Sequence, residues 1–362
     1  MTAPTRDRHA VTVLSAGRDH SRPLSLGGRS VLLRPRYAAA CGLLLAAAVV
    51  AVGVAVCLGA NAVALDRAVA AVLGHGTPAE QLVVVQLRLP RALVGALVGL
   101  ALGLAGGLFQ SVTRNPLGSP DVIGFTTGSA TGGLVAILVV GGGAATTSTG
   151  AVLGGAGTAA AVLLLTLRHH GVTPLRLVLV GIGAGTMLQA VNSLLVVSSN
   201  LYDAQSASVW LVGNLAGRDW SRLELLGPAV GIGLVLALLL SRALTVGELA
   251  DERSASLGLR PDRVRLAAMM LGVLLASVAV ATAGPIAFIS LSAPQIARRL
   301  TGTSGPNLLA GGLAGAVLLV LTDLAAREAF QPRQLPTGVL TGVVGGLYLI
   351  WLLTREWRRG RA

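Results

Sequence analysis

The sequence predicts an all-α polytopic membrane protein, a bundle of about ten transmembrane helices. Three observations carry that expectation. Hydrophobic residues make up 53% of the 362 residues and charged residues only 12%, with a mean hydropathy of +0.76, well outside the ordinary soluble mixture. Apolar runs of bilayer length recur along the chain, and its 28 basic residues fall mostly in the polar gaps between them. Aromatics are scarce at 3% while glycine reaches 48 residues, so helices are expected to touch through small residues rather than through rings.

Residues 1–36 carry seven Arg against two Asp with no helical period, which predicts a disordered basic cytoplasmic tail. The run at 37–60 holds 24 uncharged residues, longer than a signal peptide's apolar region of about 7 to 15, and is expected to stay as the first helix. Further runs fall at 90–110, 121–141, 148–167, 175–197, 222–242, 263–283, 285–300, 306–326 and 336–353. The eighth is short and contains Pro285 and Pro294, the pattern of a broken helix shielded from lipid by its neighbours. The transmembrane domain is thus expected over 37–356, followed by a cytoplasmic tail at 357–362.

With the amino terminus inside, 21 of the 28 arginines lie in the cytoplasm and seven outside, as the positive-inside rule requires. A multi-pass protein of a bacterial cytoplasmic membrane, with both termini cytoplasmic, is the expected localisation. Two outer segments, 61–87 and 202–220, are long enough for short surface helices, with Trp210 and Trp220 as interfacial anchors. Inside, residues 243–265 carry four acidic and four basic side chains with helical periodicity, which suits docking to a soluble partner.

Several functions are disfavoured by composition. The chain has no lysine, so the P-loop device, whose ammonium meets the β and γ phosphates, is absent. The five histidines and two cysteines form neither H-E-x-x-H nor C-x-x-C, so no metal site or cofactor is expected, and Cys41 and Cys57 read as helix packers. The net charge of +13 follows from topology and does not call for a nucleic-acid partner. Asp323 is the one plausible carboxylate near mid-span for an ion-coupled secondary transporter. An intramembrane hydrolase would rest on Gly128-Ser129, with no histidine in any predicted span to act as base.

The stretch RLPRALVGALVGLALGLAGGLFQSVTRNPLGSP, residues 88–120, is the most informative. Arg88 and Arg91 share a helix face, with Pro90 in the first turn, where a missing N–H costs least. Interfacial snorkelling alone explains many such arginines. At the other end Pro116 forces Asn115 out of helical geometry into a sharp turn. Inside the bilayer Gln110, Gln189, Asn192 and Asp323 are costly unless they face a cavity or a partner. Gln189 and Asn192, three apart, are candidates for lining a pathway, with interhelical hydrogen bonding as the equal alternative.

Extended to Phe125, that stretch resembles the signature of permease subunits of iron-siderophore and vitamin B12 ABC importers, the ten-helix type II family. LADERSASLGL (249–259), AGPIAFISLSAPQIARRLTG (283–302) and TDLAAREAFQPRQLPTGVLTGVVGGLYLIWLL (322–353) agree in order and spacing. RNPLGSPDVIGF and RQLPTGV are most similar to the catecholate type that carries ferric enterobactin. The resemblance implies a transport subunit, not an enzyme, which moves ferric siderophore by alternating access. Hydroxamate, haem or vitamin B12 cargo is the alternative.

The implied partners are cytoplasmic ATPase subunits, an extracytoplasmic siderophore-binding protein, and a second permease in a homodimer or heterodimer. Arginines matching Arg88, Arg91 and Arg327 face acids of the binding protein in this family, a task suited to the planar guanidinium. The 243–265 loop matches the coupling segment on the ATPase, with Ala250, Asp251, Glu252, Leu257 and Gly258 as its core. Ala250 stands where the family usually has glycine. Asn115 with Pro116 and Thr173 with Pro174 match the cytoplasmic gate. Gln295 and Gln334 replace a usual His and Glu, so neither position is a required titratable group.

Overall fold

The computed structural model describes residues 22–26, 29–33, 35–59, 61–167, 174–248, 254, 256, 258–303, 305–329 and 334–359. Helices dominate, and long ones follow the apolar runs. The first is α1 (Pro35–Cys57); the outer segment then forms α2 (Leu65–Val72) and a single turn, Pro78–Glu80. That turn is closed by a capping box in which the Thr77 hydroxyl accepts from the Glu80 N–H and the Glu80 carboxylate accepts from the Thr77 N–H. The chain continues through wider π-helical turns at Gln81–Arg88 into α3 (Leu89–Thr113).

The π-helical stretch leaves one backbone carbonyl in need of a donor. With i to i+5 pairing, the Val85 carbonyl should accept from residue 90, but Pro90 has no N–H to give. The Trp220 indole Nε1–H takes that carbonyl instead, at 2.9 Å. Trp220, expected as a membrane-interface anchor, is therefore a donor to an orphaned backbone group. Trp210, expected in the same role, packs its ring against Gly133, where a Cβ would lie 2.3 Å from the indole.

The remaining helices are α4 (Phe125–Leu138), α5 (Ala144–Leu167), α6 (Pro174–Ser198), α7 (Leu201–Val212) and α8 (Trp220–Gly247). They continue with α9 (Pro261–Ala283), α10 (Ile289–Thr301), α11 (Leu308–Glu328) and α12 (Thr337–Arg359). The ten expected spans correspond to α1, α3, α4, α5, α6, α8, α9, α10, α11 and α12. Seven described helices are long and apolar enough to cross a membrane. Two expected spans are shorter than their apolar runs. In the third, residues 114–124 form turns and α4 begins only at Phe125. In the eighth, residues 284–288 are non-helical, Phe288 with a φ of 69°, and α10 begins at Ile289, the break that Pro285 announces.

Two short segments of the basic tail, which was expected to be disordered, are strands. Strands β1 (Arg22–Leu26) and β2 (Arg29–Leu33) pair antiparallel, Arg22 opposite Leu33. At the other end, helix α12 runs on to Arg359, through half of the short tail expected at 357–362.

Helix α3 is the central post. Its most apolar window is 78% buried, against 17% for α6, which shows most of its surface. The contacts around α3 are made by glycine. Gly99 and Gly103 on α3 face Gly315 and Gly311 on α11, and a Cβ at Gly99 would lie 2.3 Å from the Gly315 carbonyl oxygen. The pair α4 and α5 repeats the device, with Gly128 and Gly132 against Gly154 and Gly150. Four-residue glycine spacing puts the bare faces in line, so backbones approach where side chains would hold them apart. Phe109 and Phe125, ring centroids 5.5 Å apart, fill the core where α3 meets the start of α4.

A methyl group separates these positions sharply. Gly99→Ala must push α11 away and is expected to cost about 1–3 kcal/mol. Gly157→Ala on α5, where a Cβ meets nothing within 4 Å, should be neutral or slightly stabilising. Thermal unfolding of the two purified variants in detergent checks this, and equal melting temperatures would contradict the close-contact account.

Candidate functional site

The outer end of α3 carries the two arginines singled out in the sequence, and each is held by its own fold. Arg88 directs its guanidinium at the end of α1, donating to the carbonyls of Val56 (3.0 Å), Cys57 (3.1 Å) and Asn61 (2.6 Å). The last carbonyls of a helix have no intrahelical donor and sit at its negative end, so a guanidinium satisfies both needs. Gly59 leaves room for it, because a Cβ there would lie 2.6 Å from Nη2.

Arg91 grips Asp323 on α11 with both prongs, Nε to Oδ2 at 3.0 Å and Nη2 to Oδ1 at 2.8 Å. Arg327, one turn beyond, places Nε 3.5 Å from the same Oδ2, and its Nη2 donates to the Ala55 carbonyl at 3.2 Å. The Thr337 hydroxyl of α12 donates to Asp323 Oδ1 at 2.7 Å. Side-chain exposures of 11% for Arg91 and 5% for Asp323 mark this as a buried ion pair. Asp323 thus joins α3, α11, α12 and, through Arg327, α1. Two of the three predicted arginines, Arg91 and Arg327, converge on this internal acid, while Arg88 is held by the end of α1. The fourth outer position, Gln334, reaches Arg91 only weakly, at 3.5 Å.

Above this cluster opens an outer cleft of about 800 Å³, with Arg88, Arg91, Arg218, Asp219, Arg327 and Glu328 in its wall. Below it, a second cavity of about 420 Å³ lies between α4, α6 and the non-helical segment 285–287. Both predicted pathway residues line it. Gln189 is exposed there, while Asn192 is buried with its Oδ1 lacking a hydrogen-bond partner. Thr126, Thr127 and Asp121 complete the polar wall. The Ser290 hydroxyl, in the first turn of α10, donates to the Asp121 carboxylate. Sequence reasoning passed over Asp121 because it falls inside an apolar run. The available signal was Pro120 beside it, a helix breaker next to an acid at the very start of the presumed span.

At the inner end, α3 stops at Arg114, whose φ of 49° closes the helix in left-handed geometry. The Asn115 carboxamide oxygen accepts from the Leu117 N–H at 2.9 Å, fixing the turn that Pro116 begins. The Pro116 carbonyl accepts from Gln295 Nε2 at 2.6 Å, and the Leu291 carbonyl from Gln110 Nε2 at 3.0 Å. The first bond ties the α3–α4 turn to the half-helix α10, and the second ties α3 itself to it. Arg114 Nη2 also donates to the Gly247 carbonyl at 2.6 Å, where α8 enters the charged loop. Burial raises the pKa of the neighbouring Glu248, while Arg298 and Arg114 pull it down.

Of the other predicted residues, Thr173, Ala250, Asp251, Glu252 and Leu257 lie outside the described residues. Pro174 opens α6. Gly258 has a φ of 81° and open space around it.

The Asp323 hub has a measurable consequence. Asp323→Asn leaves two buried guanidiniums without a counter-charge, and loss of one partner of such a pair costs about 3–5 kcal/mol. The double variant Arg91→Gln, Asp323→Asn should recover part of that loss, because the two changes are coupled. Thermal unfolding of wild type, both single variants and the double gives the cycle. Strict additivity would remove the hub.

Comparison with known proteins agrees with this architecture. Residues 43–355 match the FecCD transport family. The chain is 41% identical over 319 residues to the ferric enterobactin transport system permease protein FepG of Escherichia coli (strain K12), covering 88% of this chain and 96% of that one. It is 35% identical to the Fe(3+)-citrate import system permease protein YfmE of Bacillus subtilis (strain 168), covering 88% and 94%. Among solved structures, an inward-facing metal-chelate type ABC transporter superposes with a TM-score of 0.76 at 29% identity, over 88% of this chain and 99% of that one. Family match, extended identity and shared fold agree, and the chain belongs to the FecCD transport family.

Proposed function

We propose that this chain is a permease subunit of an ATP-driven importer that carries a ferric catecholate siderophore across the cytoplasmic membrane. The observation that carries the reading is the 41% identity to a ferric enterobactin permease along nearly the whole of both chains. The geometry supports a transport role. A polar cavity sits within an apolar bundle, bounded by one broken helix and by turns instead of a continuous span. Such backbone is tolerated at membrane depth only where it lines a cavity or is covered by protein. The arginine distribution supports cytoplasmic termini.

In this reading ATP is bound and hydrolysed by separate subunits, a delivery protein docks on the outer face near Arg88, Arg91 and Arg327, and cargo crosses between this chain and a second permease. The 243–265 loop, with Ala250, Asp251, Glu252, Leu257 and Gly258, meets the ATPase. Asn115 and Pro116, with Thr173 and Pro174 opposite, close the inner side. Nucleotide and delivery protein each favour a different state of the bundle, and cargo moves because their differential affinities shift the balance. Gln189 and Asn192 offer the cargo hydrogen bonds without a charge, which suits passage better than tight holding.

Uptake of ferric catecholate into proteoliposomes holding this chain, its ATPases, its second permease and the delivery protein is expected to require ATP and every subunit. Uptake by this chain alone down an ion gradient would overturn the reading. Preference for ferric hydroxamate or ferric citrate would overturn only the cargo class. Within the working assembly, Gln189→Leu with Asn192→Leu should slow uptake severalfold while delivery-protein affinity stays unchanged, which a paired uptake and binding measurement resolves.

A further inference from the structure

Among the cleft arginines, Arg218 differs from the rest. Arg88 is held by the end of α1, and Arg91 and Arg327 share Asp323. Arg222, one turn away, donates to the Ser148 hydroxyl at 2.7 Å. The Arg218 side chain has no hydrogen-bond or ion-pair partner among the described residues, and its Nε, like that of Arg327, is buried without a hydrogen bond. It follows Gly217, whose φ of 70° turns the loop, and precedes Asp219, whose side chain accepts from the Arg222 N–H at the start of α8. Both neighbours fix its backbone. Burial, and after it the nearby Arg222 charge, lower the Arg218 pKa, with Asp219 acting in the opposite sense. A guanidinium held in that way lacks a counter-ion.

The missing charge can be counted. Arg88, Arg91, Arg218 and Arg327 face Asp219, Asp323 and Glu328, which leaves one net positive charge in and directly behind the cleft wall, or two with Arg222. One carboxylate matches that excess. A tris-catecholate complex of iron(III), a trianion, would invert the sign and leave the cleft repelling its occupant. Shape agrees, since the cleft faces outward beside the loop that carries Arg218 and is separate from the interior cavity lined by Gln189 and Asn192.

We propose that Arg218 is the docking arginine of the outer cleft, receiving the carboxylate of one acidic side chain on the delivery protein, while Arg88, Arg91 and Arg327 form the rigid positive wall around it. The inference rests on the importer reading and changes which guanidinium makes the contact. Arg91 and Arg327 contribute field and shape. Among the cleft arginines Arg218 is the one whose whole side chain is unpartnered, which leaves its two terminal nitrogens for a carboxylate.

The test uses the full importer in lipid nanodiscs and measures association with the delivery protein, empty and siderophore-loaded, at low and high ionic strength. Arg218→Glu is expected to weaken binding by about tenfold or more and to lower the association rate, with the largest effect at low salt. Arg218→Gln should lose most of the same affinity, and Arg218→Lys, which keeps the charge but not the fork, should fall between. Empty and loaded delivery protein should lose affinity alike. Co-purification of the ATPases with each variant reports an intact assembly, and the Gln and Lys variants decide the matter if the Glu variant does not assemble. Unchanged binding in the assembled variants would overturn the inference while leaving the importer reading intact. A loss seen only with loaded protein, or in binding of free ferric catecholate, would assign Arg218 to cargo and also overturn it. Failure of the wild-type importer to bind any delivery protein would sink the importer reading itself, and the inference with it.

Discussion

A single buried carboxylate organises the outer half of this protein. Asp323 accepts from the Arg91 fork and the Thr337 hydroxyl and pairs electrostatically with Arg327, which reaches on to α1, so one side chain links four helices. An isolated charge in a low-dielectric bundle is expensive, and a pair repays its desolvation only when geometry is good and the remaining lone pairs are used. Both conditions hold here. Since Asp323 and Arg91 have almost no exposed surface, the cluster keeps its geometry whatever the ionic strength outside. Rigid arginines at the outer face are one consequence. A local excess of positive charge is the other, because one acid cannot neutralise two guanidiniums.

Below the hub, cohesion comes from a different source. Lipid tails are as apolar as leucine, so the hydrophobic effect does little to hold helix against helix, and close packing must do it. Gly99 and Gly103 against Gly311 and Gly315 bring α3 and α11 into backbone contact, and the α4–α5 glycines do the same. Such contacts resist separation and rotation alike. The two helix starts at mid-depth, Phe125 and Ile289, face each other instead through polar groups, with Asp121 accepting from Ser290. Hydrogen bonds between a turn and a half-helix can exchange for water or cargo, which a glycine seam cannot do.

Much of this was legible in the sequence. Apolar run length gave the long helices, Pro285 gave the broken eighth, and glycine content gave the mode of contact. Three features were not. Residues 121–124 read as the start of a span because hydropathy averages over Asp121, whereas the backbone stays in turns from Pro116 until Phe125. Arg91 and Arg327 share an acid that lies four residues before Arg327 and more than two hundred after Arg91, a pairing that local pattern does not encode. The two tryptophans were assigned to the membrane interface by residue type. Pro90 and Gly133, which determine where the indoles go, act through tertiary contact.

The distribution of these contacts limits how the bundle can move. Helix α3 is joined to α11 by the Arg91–Asp323 pair near one end and by the glycine seam along its length, so the two move as one body. Helix α9 belongs with them, since its most apolar window is 72% buried and Gly272 packs on the Phe109 ring of α3. Helix α6, with its window only 17% buried, carries Gln189 and Asn192 and is bound to that body by far less surface. Opening the interior cavity toward either side therefore requires α6 and the turns around Asp121 to shift against a fixed α3, not α3 to tilt. The inner turn fits this division, because Pro116 is tied to α10 by a side-chain hydrogen bond from Gln295, a contact that can exchange. A post that stays in place while its neighbours move can hold a docking face constant on one side of the membrane as the pathway changes on the other.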